Sequence, residues 1–180
     1  PVETVVATWV ALGECVARAG VKKLLLFNGH GGQASLLDIV ARELRMRCGM
    51  IVYGCNWWNL PLGAAAEAFP PEEHRFGVHA GSIETALLLA LQPGLVRMAQ
   101  ARDFPSSSRQ RAAQYPILGN GRSAKLGWAM QDYKPQGAAG NARAATPEAG
   151  RALLEAASAQ LAALLQEMAA LPLATVAAAR

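Results

Sequence analysis

No stretch of this 180-residue sequence stays apolar for long. The longest uninterrupted run, Ala86 to Leu91, is six residues, far short of the ~20 that a bilayer-spanning helix needs. The opening residues show no charged n-region followed by an apolar h-region and a cleavage site. A membrane partner is therefore not expected. Charge is also sparse: charged residues make up 17% of the chain, the formal net charge is +4, and the basic residues are scattered. The densest basic patch, Arg109 and Arg111 beside Ser106-Ser107-Ser108, reads as a solvated loop. No nucleic-acid partner is expected. The three cysteines, Cys15, Cys48 and Cys55, are odd in number and never spaced Cys-x-x-Cys. This excludes a disulfide framework and a thiolate zinc site, and they read as buried free thiols in a reducing cytoplasm. There is no internal repeat, no Gly-x-Gly-x-x-Gly and no Gly-Lys-Ser/Thr.

What the sequence does contain is apolar periodicity. Hydrophobic residues make up 52% of it, enough for one α/β domain over 1–180 with a sizeable core. Val5, Val6, Trp9, Val10, Leu12 and Val16 recur at helical spacing and predict a helix over 2–19, closed by Gly20. Val21 to Phe27 predicts a strand. Leu36, Leu37, Ile39, Val40 and Leu44 predict a second helix over 33–47, ended by Gly49, and Met50 to Cys55 a second strand. Such a β-α-β unit implies parallel strands and a right-handed crossover. The opening helix requires a strand before it, so the sequence is expected to be part of a longer polypeptide.

Periodicity fades from Asn56 to Val78, where Pro61, Pro70 and Pro71 suggest a long loop over the carboxyl edge of the sheet. Ser82 to Leu91 predicts a short apolar helix. Pro93 to Gly140 reads as irregular, with Trp128 and Tyr133 as anchors. Thr146-Pro147-Glu148 opens a long Ala/Leu helix reaching about Ala170: Thr as N-cap, Pro in the first turn, Glu at the positive dipole end. The Ala-rich tail, 172–180, is expected to fray.

Two clusters could carry chemistry. In Leu24-Leu25-Leu26-Phe27-Asn28-Gly29-His30-Gly31-Gly32-Gln33, a histidine enclosed by glycines follows an apolar strand directly. Ligands bind at such strand ends in open α/β sheets, and imidazole is the side chain there able to hold a metal or move a proton near neutral pH. A phosphate cradle at Gly29 to Gly32 is the rival reading. The second cluster is His79-Ala80-Gly81-Ser82-Ile83-Glu84-Thr85. Glu84 opens an otherwise apolar helix, where a carboxylate is costly to bury unless paired or on a metal; the plainer reading is a helix-start charge facing water. His74, within Glu72-Glu73-His74-Arg75, reads as surface. Trp57 and Trp58 follow a strand end, where a flat ring could stack. On a strand continuing past Cys55 the two would face opposite sides, so one alone would matter.

Asn28-Gly29-His30-Gly31-Gly32-Gln33 followed by His79-Ala80-Gly81-x-x-Glu84-Thr85 resembles the creatininase (creatinine amidohydrolase) family, whose usual strings are Asn-Gly-His-Gly-Gly-Asn and His-Ala-Gly-x-x-Glu-Thr. Ala19-Gly20-Val21 and Ala145-Thr146-Pro147-Glu148-Ala149-Gly150 agree with it, and the resemblance runs from about Val2 to Leu165. It implies a three-layer α/β sandwich around a mostly parallel sheet, of which this chain would be the C-terminal two-thirds, assembled as a homo-oligomer, commonly a hexamer. It also implies hydrolysis of a carbon–nitrogen amide bond in a small molecule at a two-metal centre of zinc, manganese or iron. His30 becomes a metal ligand, and Glu84 a ligand or the holder of one. His79 becomes the catalytic acid/base or oxyanion group, with Asn28, Trp57 and Trp58 at the substrate.

Three departures accompany the resemblance. The family's Glu-x-His pair and Asp ligand precede the opening helix and have no counterpart in this sequence. Creatinine-hydrolysing members carry an acidic ligand two residues after the loop histidine, where this chain has Gly32. Arg75 stands near the place of a second substrate tryptophan. These features point away from creatinine, toward another cyclic amide or a formamide. A catalytically degenerate scaffold subunit is the alternative.

Overall fold

The computed structural model of the chain describes residues 1–177. They form two compact units: Pro1–Pro61 joined by the chain from Ala157 onward, and Leu62–Ala156.

The first unit is the expected β-α-β arrangement with a helix ahead of it. Helix α1 (Val2–Arg18) precedes strand β1 (Lys23–Asn28), and helix α2 (Ala34–Cys48) carries the chain to strand β2 (Ile51–Asn56). The strands are parallel, paired from Lys23↔Ile51 to Asn28↔Asn56, as a crossover through a helix requires. Alternation along β1 sends Leu24 and Leu26 to one face. There they meet Val10 of α1, Val40 and Leu44 of α2, and Val52. On the opposite face Phe27 and Tyr53 are each 47% exposed. Gly13 lets α1 approach α2 closely, because a β-carbon there would overlap the Leu44 side chain. The cysteines are free as expected, but Cys15 is exposed and Cys48 and Cys55 only half-buried. The correction follows from position, since Cys15 lies off the Val6–Val10 stripe of α1.

The second unit is built of short pieces. Helices α3 (Ala64–Glu67) and α4 (Pro71–Phe76) lie where the sequence suggests a plain loop. Pro71 pre-sets the first turn of α4, and Glu72 and Glu73 complement its dipole; a helix of six residues is too short to show a period. Helix α5 (Ser82–Leu91) has the expected bounds. The irregular region then holds strand β3 (Asp103–Phe104), helices α6 (Ser108–Gln114) and α7 (Met130–Tyr133), and strand β4 (Gly140–Asn141). Strands β3 and β4 pair antiparallel, and an isolated bridge joins His79 to Ala139. Trp128 and Tyr133 anchor one another edge to face, with ring centroids 4.9 Å apart. Arg111 lies over the Tyr133 ring, and Arg109 pairs with Glu72 at 3.1 Å.

Helix α8 (Pro147–Ala170) starts in the second unit. Its Ala149 N–H donates to Thr146 Oγ1 at 3.2 Å, the N-cap contact predicted for that threonine. Its later turns belong to the first unit, where Lys23 Nζ donates to the carbonyls of Met168 (3.0 Å) and Ala169 (2.6 Å). A turn follows at Leu173–Thr175; residues 178–180 of the tail expected to fray lie outside the described residues. No helix of the described residues is long and apolar enough to cross a membrane.

Candidate active site

His30 follows the end of β1 directly, as the apolar-run-then-glycine pattern predicts. Its turn is fastened from below by Asn28, which is 1% exposed. The Asn28 amide Nδ2 donates to His30 O (2.9 Å) and to Asn56 Oδ1 (2.6 Å). Its Oδ1 accepts from His30 N–H (3.1 Å) and Gln33 Nε2 (3.0 Å). Every polar atom of the amide is thus taken up inside the protein, tying the ends of β1 and β2 to the loop. The imidazole of His30 is exposed, and its Nδ1 accepts from Gly32 N–H at 3.1 Å, opening a tight turn over Gly31–Gln33. In the neutral ring the proton then sits on Nε2.

In the second unit His79 and Glu84 come together. Glu84 lies in the first turn of α5 and reaches back over it: its Oε2 accepts from Ala80 N–H at 2.7 Å and faces His79 Nδ1 at 3.2 Å. The two side chains are 49% and 48% exposed. Glu84 is thus neither buried nor a free helix-start charge. Its geometry resembles a capping box, in which the third helical residue returns to the chain ahead of the helix. Ala80 takes a left-handed φ of 52°, and no other non-glycine residue among those described has a positive φ. Backbone bonds in both directions between His79 and Ala139 fix the other side of the turn.

The tryptophans are not on a continuing strand. β2 ends at Asn56 and Trp57–Asn59 form a 3-10 turn, so the two rings meet edge to face with centroids 6.2 Å apart. Trp57 is half-buried and Trp58 is exposed. His74 is exposed as expected, its Nε2 2.9 Å from Ala66 O.

Glu73 is the residue that sequence reasoning missed. Although it lies in the charged stretch Glu72-Glu73-His74-Arg75, it is 6% exposed. Its Oε1 accepts from Ser82 N–H at 2.6 Å and its Oε2 from Asn141 N–H at 3.0 Å. A signal existed: Phe76, three residues on and also buried, puts position 73 on the inward side of a helix.

The creatininase family profile, described as creatinine amidohydrolase, matches residues 1–165. The chain belongs to the creatininase family. No curated protein matches it at a significant level. A crystal structure from Bacteroides fragilis, assigned as a creatinine amidohydrolase, is 27% identical with a TM-score of 0.67, over 92% of this chain and 63% of that one. A zinc–zinc form of a mutant creatininase and a manganese creatininase are each 24% identical, with TM-scores of 0.66 and 0.64. Each match covers 93% of this chain and 64% of the other. The fold is therefore the creatininase α/β fold with its parallel sheet. The chain spans about two-thirds of the length of these relatives.

Creatininase membership raises the question of whether the residues present suit a divalent metal. Exposed imidazole nitrogen and carboxylate oxygen are donors that zinc and manganese accept. Among the described residues Glu84 Oε1 makes no hydrogen bond, so one oxygen is free while the other holds the turn. His30 suits a metal on one condition: the Gly32 contact must be given up. A metal at Nδ1 would take the same lone pair, and a metal at Nε2 would require the proton to move to Nδ1. That contact is solvent-exposed and so inexpensive to lose. Among the described residues no three His, Cys, Asp or Glu side chains gather into one metal cluster. The fit is that of single donors.

Proposed function

We propose that this creatininase-family protein is a metal-dependent hydrolase of a carbon–nitrogen amide bond in a small cyclic amide or formamide. The observation that carries the reading is the His79–Glu84 pair, an exposed imidazole whose Nδ1 lies 3.2 Å from a carboxylate that a backbone N–H also holds. The carboxylate keeps the imidazole proton on Nδ1 and leaves the Nε2 lone pair outward. From there His79 takes a proton from the attacking water and returns it to the departing nitrogen, the two halves of general acid–base amide hydrolysis. His30 and Glu84, the latter through Oε1, are the proposed metal ligands. A divalent ion, when bound, polarises the amide carbonyl and makes water a better nucleophile. The zinc–zinc and manganese forms among the structural relatives favour those metals.

Trp57 and Trp58 present two faces at right angles to a flat substrate. Asn28 has no free polar atom to offer, and its contribution is to hold His30 in place. Gly32, standing where creatinine hydrolases carry an acid, turns the choice toward other amides. The test is a hydrolysis screen of creatinine, small cyclic amides and N-substituted formamides, on the zinc- and manganese-loaded protein and on His79→Ala. Turnover of one amide, lost in His79→Ala with the metal retained, is the expected result. Metal-loaded protein inert toward all of them would leave the scaffold reading instead. Light scattering checks the homo-oligomeric assembly, a hexamer by resemblance.

A further inference from the structure

A buried carboxylate that the proposed chemistry does not use stands behind the turn that does. The N-cap of α5 is Gly81, which has no side chain to satisfy the helix's first N–H groups. Glu73 takes that role from another element, its Oε1 accepting from Ser82 N–H at 2.6 Å. The same carboxylate reaches Asn141 N–H with Oε2 at 3.0 Å. It thereby joins the end of the His79–Gly81 turn to β4, two residues past the Ala139 that bridges His79.

The packing leaves no slack. A β-carbon at Gly81 would overlap Glu73 Oε1, and one at Gly140 would lie 2.6 Å from Gly81 Cα and 2.9 Å from Glu73 Oε1. Gly140 also has a φ of 140°, which suits glycine. Two buried polar atoms beside the clasp, Ser82 Oγ and Asn141 Oδ1, make no hydrogen bond among the described residues. Neither of these side-chain oxygens anchors its residue, and each residue gives its backbone N–H to Glu73.

We propose that Glu73 is a positioning residue for His79. By clamping Ser82 and Asn141 it holds Ala80 in its left-handed conformation, and so sets the Ala80 N–H and the His79 ring against Glu84. The inference rests on the reading of His79 as the acid/base group for its functional meaning, but its test needs no turnover.

Glu73→Gln keeps the volume and one accepting oxygen, and sets an NH2 group against the other N–H, so one half of the clamp is lost. In protein labelled with 15N, the Ala80, Ser82 and Asn141 amide signals and the His79 ring nitrogens should all move or broaden. The His30 ring signals serve as the internal reference and should stay in place. A folded Glu73→Gln whose Ala80 and His79 signals coincide with wild type would overturn the proposal. Should Glu73→Gln fail to fold, the wild type decides by amide exchange. Ser82 and Asn141 should be protected at least tenfold beyond the exposed N–H of Gly31, and exchange as fast as Gly31 would overturn the clamp. If instead His79→Ala leaves hydrolysis intact while these signals behave as expected, it is the acid/base reading of His79 that fails and the clamp that stands.

Discussion

Ala80 carries a backbone conformation that an L-residue takes at a cost of about 1–2 kcal/mol, with φ at 52°. Strain of this kind persists only where neighbours impose it; here they are Glu84, on the Ala80 N–H, and the His79–Ala139 bridge. Ala80→Gly relieves the strain and loosens the unfolded chain as well, two effects of opposite sign and similar size. Urea unfolding should place it within about 1 kcal/mol of wild type. Ala80→Val, β-branched at positive φ, should lose about 1–3 kcal/mol. Equal stability of the two variants would show that the turn is not held as described. The thiols give a second residue-scale prediction. Burial raises the Cys55 pKa above its ordinary value, which lowers its thiolate fraction at pH 8, whereas Cys15 is exposed. Iodoacetamide should therefore label Cys15 well before Cys55 in the native protein, and mass spectrometry of the peptides reads the order. At this scale the site was partly legible. His-Ala-Gly-x-x-Glu puts Glu84 one turn into a helix, near enough to return to residue 80. That Asn28 turns inward was not legible, because its partner Asn56 lies 28 residues away; for Glu73 the signal was Phe76 on the same side of α4, while the partner Asn141 lies 68 residues away.

The elements were legible where one face of a long segment packs against a core. Helices α1 and α2 came from apolar period and their closing glycines, and strands β1 and β2 from short apolar runs between turn residues. Apart from α5, whose bounds were read from its apolar run, the region from Asn56 to Gly140 was not legible in the same way. Its helices α3, α4 and α7 are four to six residues long, less than two turns. Contacts from elsewhere hold α4 and α7: Glu73 of α4 accepts from Ser82 and Asn141, and Ser107 donates to the Asp132 and Tyr133 carbonyls of α7. Packing between α1 and α2 makes a prediction at this scale. Leu44 is fully buried and occupies the space beside Gly13. Gly13→Ala gains helix propensity of about 1 kcal/mol, but must displace a side chain that has nowhere to go, at about 1–3 kcal/mol. A net loss in melting temperature is expected, and Leu44→Ala, costly by itself in the core, should cost less in the Gly13→Ala background than in the wild type. A higher melting temperature for Gly13→Ala would mean that the two helices part more easily than their packing indicates.

At the scale of the whole molecule, the sequence-level case for a metal rests on two motifs, one in each compact unit, and stability offers a way to test them without knowing the substrate. A ligand that binds only the folded protein raises its stability by an amount fixed by concentration and affinity. At a hundredfold excess over the dissociation constant the gain is about 2.7 kcal/mol, which moves the melting temperature of a chain this size by roughly 5–11 °C. Zinc or manganese should produce such a shift in the wild type, and a chelator should reverse it. His30→Ala removes a proposed ligand outright and should reduce the shift, leaving the metal-free melting temperature nearly unchanged because the ring is exposed. Glu84→Gln separates the two duties of that carboxylate. The amide loses the charge that offsets a divalent cation, so the metal-induced shift should fall. It can still accept from Ala80 N–H, so the metal-free protein should stay folded by circular dichroism. His79→Ala, whose proposed duty begins only with substrate, should retain the full shift. A wild-type shift that survives both His30→Ala and Glu84→Gln would assign the metal to other donors, and would reduce Glu84 to the residue that closes the turn before α5.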